Sequence, residues 1–204
     1  MNEEKETILT RIEGSGIYRR IRNKTNRKLV DFLKRYALGD KTSAVVLEAA
    51  GGSGYSAHLM AQDRQVSLSI SLDIDLDLFR QAGIENFQAD LVIADIYSMP
   101  FRNGTFDLIW NSSSVEELPD PGRAIENMAS LVRPGGYVFT GVPYLYGPLA
   151  LYYLLPGRKV REWVGKPFSH KRLRGLFEDA GLRVERKITY LARFFTGILA
   201  RRPE

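Results

Sequence analysis

The sequence predicts an α/β protein: a doubly wound, mostly parallel sheet of seven strands, covered by helices on both faces, with one antiparallel strand near the C-terminus. Three observations carry this. From about residue 41 onward, apolar runs rich in β-branched residues alternate with segments of helical periodicity, the pattern of successive strand–helix units. Gly, Asp and Pro stand at the expected helix starts and stops between them. The last two strands, by contrast, follow each other across a short connection, which requires one of them to run against the rest.

Taken in order, Ile17, Ile21, Leu29, Phe32, Leu33 and Tyr36 recur at roughly helical spacing among Arg19, Arg20, Arg22, Lys24, Arg27 and Lys28. They predict an amphipathic N-terminal helix or pair of helices, ended by Gly39-Asp40. Ala44–Ala49 reads as a first buried strand, residues 54–63 as a helix, and Val66–Asp73 as a second strand. Asp75 caps a helix to about Ala82, and Ala89–Ala94 is a third strand. Thr105–Asn111 is a fourth strand, and Pro121–Val132 a helix stopped by Arg133-Pro134-Gly135-Gly136. Tyr137–Val142 is a fifth strand. Ser169 caps a helix closed by Gly181, and Leu182–Ile188 and Phe195–Ala200 close the sheet.

With 204 residues and 44% hydrophobic content, the chain can bury a substantial core and reads as one soluble domain. The absence of cysteine excludes disulfides, thiolate metal sites and a cysteine nucleophile, and is compatible with the cytoplasm. MNEEKETILT has no apolar run and does not read as a secretory signal. The longest uncharged stretch, Pro134 to Gly157, is broken by proline and glycine and makes a poor spanning helix. The net charge of +5 divides into −2 over 1–18, +7 over 19–41, −8 over 42–157 and +8 over 158–204. Basic flanks around an acidic middle suit solvated helix faces, and they leave room for an anionic partner.

The stretch VVLEAAGGSGYSA, residues 45–57, runs from a strand into a glycine-rich turn. Such a turn lets a ligand approach the backbone closely. Gly52-x-Gly54-x-x-Ala57 with Asp73 about 20 residues on fits a relaxed dinucleotide fingerprint. Glu48 argues against that ligand, because a carboxylate at the mouth of the loop repels a pyrophosphate. S-adenosylmethionine, with a sulfonium and an ammonium beside an adenosine, reverses the sign.

VLEAAGGSG, SLDID, Ala94-Asp95 before Ser98-Met99-Pro100-Phe101, FDLIWNSSSVEEL and LVRPGGYVFTGVP, in that order, resemble the class I S-adenosylmethionine-dependent methyltransferases. The similarity is strongest to the small single-domain enzymes of ubiquinone and menaquinone biosynthesis. It runs from about Lys41 to Pro143, with a weaker echo over 169–204. It implies a Rossmann-like fold of one domain: an N-terminal helical segment (1–40), a cofactor-binding core (41–143), a lid or substrate segment (144–168), and a closing helix and strands (169–204). Carried over by residue, the resemblance gives Glu48 the acidic place at the end of the first strand. Gly52 and Gly54 fill the second and third places of the family's GxGxG loop. Ala50 stands in the first, which it fits if its backbone has negative φ. Asp73 matches the acid that grips the ribose hydroxyls, and Asp95 the acid that accepts from the adenine amino group. Ile74 beside Asp73 and Ile96 beside Asp95 complete that wall, and Asn111 and Ser112 face the methionine end.

Methyl transfer needs alignment and a water-poor pocket, and a base only where the acceptor must lose a proton. The candidate catalytic residues are Glu116, Tyr144 and His170. No metal site or triad is legible; His58 and His170 have no ligand-spaced partners. The apolar, aromatic and then basic run from Tyr144 through Arg161 reads as a lid over the core. The sharper alternative is a pocket for a small, hydrophobic acceptor, with peripheral membrane contact as a corollary. A nucleic-acid acceptor ranks behind a small molecule, because Asn111-Ser112-Ser113-Ser114 lacks the Asn/Asp-Pro-Pro-aromatic pattern of base-amino methyltransferases. A protein acceptor, a catalytically silent accessory subunit and an NAD(P)-dependent oxidoreductase are the remaining alternatives. Oligomeric state is not legible.

Overall fold

The computed structural model of the chain describes residues 16–148 and 166–204. The described part of the N-terminal segment forms the helix α1 (Gly16–Leu33), which continues through a π-type turn at Lys34–Leu38. Gly39, at φ 55°, ends it in a conformation open to glycine. Leu29, Val30, Leu33 and Ala37 form the buried stripe of this segment, while Arg20, Arg22, Lys24, Arg27 and Lys28 face solvent.

Seven strands make one sheet: β1 (Ala44–Ala49), β2 (Val66–Asp73), β3 (Asp90–Ile93), β4 (Phe106–Ser112), β5 (Val132–Pro143), β6 (Arg183–Tyr190) and β7 (Phe195–Arg201). Their order is β3-β2-β1-β4-β5-β7-β6. Pairs from β3 through β5 are parallel, and β7 runs antiparallel to both neighbours. This is the expected architecture, with β7 as the single reversed strand. The order turns back between β1 and β4, so a crevice opens beyond their C-terminal ends, where ligands of open α/β sheets bind.

Alternation along each strand sorts the side chains between two layers. Val46, Leu108, Trp110, Phe139 and Leu199 pack beneath α1 and α2 (Tyr55–Ala61). Leu47, Ala49, Ile109, Val138 and Ile198 pack against α4 (Pro121–Leu131) and α5 (His170–Asp179). The short α3 (Leu76–Ala82) follows β2, capped by Asp75 accepting from Asp77 N–H, as the sequence predicts. Because parity is fixed, Glu48 shares the α1/α2 face with Val46 and lies level with Ser71 on β2 and Trp110 on β4.

The start of β5 differs from expectation. The strand after α4 begins at Val132, and Arg133–Gly136 form an irregularity inside β5 instead of a loop before it. Gly135 is at φ 74°, and a β-carbon on Gly136 would meet Val132 at 2.6 Å and the Asp107 carbonyl at 2.9 Å. The bulge brings Arg133 to buried Asp107, which also binds Lys41 at 2.7 Å and Val45 N–H at 2.9 Å.

Candidate active site

Beyond β1 the chain turns through Ala50 (φ 52°), Gly52 (φ 55°) and Gly54 (φ 67°) into α2. A β-carbon on Gly51 would lie 2.3 Å from Ser71 Oγ, and one on Gly54 would lie 2.5 Å from Phe79, so both glycines are required by space. Gly52 has only Leu78, at 3.9 Å, near the same position, so its backbone faces open room. Ala50 departs from the negative φ that its fit required. Its left-handed conformation costs an L-residue roughly 1–2 kcal/mol. Cross-strand bonds impose that geometry: Asn111 Nδ2 donates to Ala49 O at 2.7 Å, Ser114 Oγ to Ala50 O at 3.1 Å, and Gly51 N–H to Leu72 O at 3.0 Å.

Glu48 is buried, and its Oε2 accepts Ala57 N–H at 2.9 Å. Burial pushes its pKa up to about 7, against the hydrogen bonds from Ala57 and Ser56, and the Asp73 charge adds to the rise. Trp110 Nε1 also faces this carboxyl, without completing a hydrogen bond of good geometry. Asp73, at the end of β2, accepts Gly52 N–H at 2.7 Å on Oδ2 and Asp75 N–H at 2.9 Å on Oδ1. An ionised carboxylate offers about four acceptor positions, so two stay open toward the crevice. Next to it Ile74 is 70% exposed, a large apolar side chain left in the open at the strand ends.

Asp95 accepts Tyr97 N–H at 2.8 Å and so caps the 3-10 turn Ile96–Ser98. The Ile96 side chain is buried in the core, which leaves only its backbone for a ligand. Asn111 is fully buried with both ends of its amide engaged, on Ala49 O and on Val115 N–H at 3.3 Å. It ties β4 to the glycine loop, and Ser112 follows at the mouth.

A family model described as a methyltransferase domain matches residues 18–187, a span that takes in the glycine loop, Asp73, Asp95 and Glu116. The chain belongs to the methyltransferase domain family. Membership decides between the two ligand classes that the glycine loop leaves open, because the cofactor of this family is S-adenosylmethionine. Among its methyltransferase relatives, the malonyl-[acyl-carrier protein] O-methyltransferase of Pseudescherichia vulneris is 34% identical over 101 residues, covering 50% of this chain and 39% of that protein. The ubiquinone/menaquinone biosynthesis C-methyltransferase of Idiomarina loihiensis is 30% identical over 116 residues, covering 52% and 46% respectively. The chain thus spans less than half the length of either relative. The magnesium protoporphyrin IX methyltransferase of Synechocystis PCC 6803, solved with bound SAH, matches with a TM-score of 0.72 at 19% identity over 95% of this chain and 92% of that one. This shows a shared fold.

The crevice suits the methyltransferase cofactor electrostatically. Between Thr42 and Pro121 the only lysine or arginine residues are Arg64, Arg80 and Arg102, whereas Glu48 and Asp73 stand at the ends of β1 and β2, and Asp95 and Glu116 follow β3 and β4. Two of the three catalytic candidates, Tyr144 and His170, are in contact. His170 packs edge-on against Tyr144 with ring centroids 4.8 Å apart, and its Nδ1 is 3.0 Å from Thr196 Oγ1. Burial, with Lys187 nearby, lowers the His170 pKa. Glu116 is buried within the 3-10 turn Val115–Glu117. Burial pushes its pKa to about 8. His58 is a packing residue: it stacks on Phe87 and its ring nitrogens meet Gln62 and Gln88. The described residues hold no metal-binding cluster.

Sequence reasoning missed Tyr190. The predicted strand stopped at Ile188, whereas β6 runs to Tyr190, whose hydroxyl lies 3.1 Å from Ser112 Oγ. Alternation continued two residues further, Ile188 then Tyr190 on the α1/α2 face, was the available signal. Of the lid segment 144–168, residues 149–165 lie outside the described residues, as do residues 1–15 of the N-terminal segment.

Proposed function

We propose that the chain transfers a methyl group from S-adenosylmethionine to a small, apolar acceptor. The observation that carries this reading is Asp73, a carboxylate pinned by Gly52 and Asp75 N–H groups at the crevice mouth with acceptor positions to spare for a diol. In this assignment Asp73 holds the ribose, Asp95 and the Ile96 backbone hold the adenine, and exposed Ile74 covers its face. The Gly52–Gly54 backbone and Ser112 line the methionine end.

The bound donor supplies a methyl group made electrophilic by a cationic sulfur. The chain then has to orient the acceptor in line, keep water out, and remove a proton where the acceptor carries one. Leu145 and Tyr146, exposed just beyond β5, offer apolar surface at this mouth, which supports an apolar acceptor. The names of the two relatives, a malonyl-[acyl-carrier protein] O-methyltransferase and a ubiquinone/menaquinone biosynthesis C-methyltransferase, support a non-nucleic-acid acceptor.

Calorimetric titration with S-adenosylmethionine, S-adenosylhomocysteine and NAD tests the reading. Micromolar binding of the first two, silence with NAD, and at least a tenfold loss in Asp73→Ala are expected, tenfold being about 1.4 kcal/mol. NAD binding without S-adenosylmethionine binding overturns it.

A further inference from the structure

The two edges of the sheet are built differently. β6, at one end of the strand order, exposes Arg183, Glu185, Arg186 and Lys187, with Arg183 paired to Glu185 at 3.1 Å. Charged side chains of this kind keep a strand edge from pairing with another chain. β3, at the other end, is only Asp90-Leu91-Val92-Ile93, and it exposes apolar side chains: Leu91 is 42% and Ile93 48% accessible. Leu76 and Leu78, at the start of α3, are 37% and 42% accessible. With Leu68 and Ile74 they make six of the ten large apolar side chains exposed among the described residues. Single exposed apolar residues are ordinary, whereas a cluster marks an interaction surface.

Register explains the exposure. Leu91 lies level with Ser71 and Ile93 with Asp73, so both side chains stand on the sheet face that carries α1 and α2. The helix nearest them in sequence, α3, has seven residues and buries only Phe79, which packs beside Gly54 and edge-on to Phe87 at 6.0 Å. Helical cover therefore stops short of β3. The backbone of β3 is open as well. Ala94 N–H donates to Asp73 O at 3.1 Å, so by alternation Val92 also faces β2, and the N–H and C=O groups of Leu91 and Ile93 point away from it. Among the described residues, β2 is the only strand beside β3.

We propose that the outer edge of β3 docks an extended segment of another protein, which adds to the sheet as a further strand and carries lysine or arginine beside its apolar positions. Strand addition supplies main-chain bonds to Leu91 and Ile93, and the exposed apolar side chains contact alternate residues of the incoming segment. Charge sets its flanks. Asp75, Asp77, Glu85 and Asp90 are exposed along the stretch from β2 through α3 to β3, and Arg80 within that stretch is engaged with Asp77 at 3.2 Å. Basic side chains on the incoming segment meet these acids favourably, which steers the encounter and fixes the register. A second copy of the chain is the poorer occupant, because pairing β3 with β3 about a two-fold axis brings two acidic rims together. The ladder that so short a strand offers is itself short, so the apolar and charged contacts decide which segment docks.

The test uses the full isotope-labelled chain and reads the edge by hydrogen exchange in NMR spectra. In the free chain the Leu91 and Ile93 amides should exchange on the order of a hundredfold faster than Val92, at every protein concentration. Peptides of about ten residues are then selected on the chain from a displayed random library, and the tightest is synthesised. It should alternate apolar residues with lysine or arginine, slow exchange at Leu91 and Ile93 by about tenfold or more, and bind less tightly as salt rises. Leu91→Lys combined with Ile93→Lys should weaken its binding by about tenfold or more and Asp90→Lys by about threefold, whereas Thr189→Lys on the opposite edge should leave it unchanged. These substitutions fall at exposed positions, and the exchange measurements on the parent chain need none of them. Leu91 and Ile93 amides already protected in the dilute free chain, or protected only as its concentration rises, would place the chain's own residues or a second copy on the edge and overturn the proposal. A selection without a binder, or a binder indifferent to the β3 substitutions, overturns it too. None of these readouts involves the cofactor, so this reading and the methyl-transfer reading fail separately.

Discussion

The Oε2 atom of Glu48 accepts the backbone N–H of Ala57 at 2.9 Å, across the whole glycine loop. The acid that the sequence places at the mouth of β1 is thus engaged with the start of α2, buried, and titrates near neutrality, with its pKa raised to about 7. A cation bound in the crevice favours its charged form, so cofactor binding and Glu48 ionisation are linked.

S-adenosylmethionine should therefore bind more tightly as pH rises through about 7, and binding below that pH should release a proton. The change expected is about tenfold between pH 6 and 8, each pKa unit corresponding to about 1.4 kcal/mol. Calorimetry in buffers of different ionisation enthalpy measures the proton directly. In Glu48→Gln both the pH dependence and the proton release should disappear, and their persistence would assign the linkage to another group.

Stability should fall as pH rises. Glu116 keeps its proton up to about pH 8 in the folded chain, against an ordinary value of 4.5, and Glu48 keeps its proton up to about 7. The folded state binds more protons than the unfolded state above pH 4.5. The stabilisation is complete below that value and is lost as pH climbs to about 8. Unfolding free energies from urea titrations between pH 5 and 9 should decline by on the order of 6 kcal/mol in all, at about 1.4 kcal/mol per pKa unit. Glu116→Gln should flatten the upper part of the curve, and a parental slope in that variant contradicts the assignment.

Ala50→Gly should stabilise the chain, because Ala50 is held at φ 52°. Relief of left-handed strain outweighs the added freedom of glycine when unfolded, for a net gain of about 0.5–1 kcal/mol and a melting-point rise of about 1–4 °C. A lower melting temperature would show that packing of the Ala50 methyl outweighs its backbone strain.

Asp107→Ala should destabilise by about 2 kcal/mol while leaving cofactor affinity within about twofold. Its carboxylate is 3% exposed and holds Val45 N–H, Lys41 and Arg133 at the end of the sheet opposite the crevice. Thermal melting together with the S-adenosylmethionine titration separates the two effects.

The sequence by itself determined the order of strands and helices, the reversed closing strand, the glycine turn, and Asp75 as the cap of the helix after β2. These features are local: period-two and period-3.6 apolar spacing, cap chemistry one turn long, and a connection too short for a parallel return. Only the tertiary structure decided that Ala50 is left-handed, because the bonds that impose it come from Asn111 and Ser114 on another strand. Likewise it alone decided that Glu48 and Glu116 hold protons near neutrality, since a carboxyl responds to the protein packed around it and not to its neighbours in sequence. Tyr190 meets Ser112 from 78 positions away, a pairing set by the β4-β5-β7-β6 order of the sheet and invisible to any window of sequence.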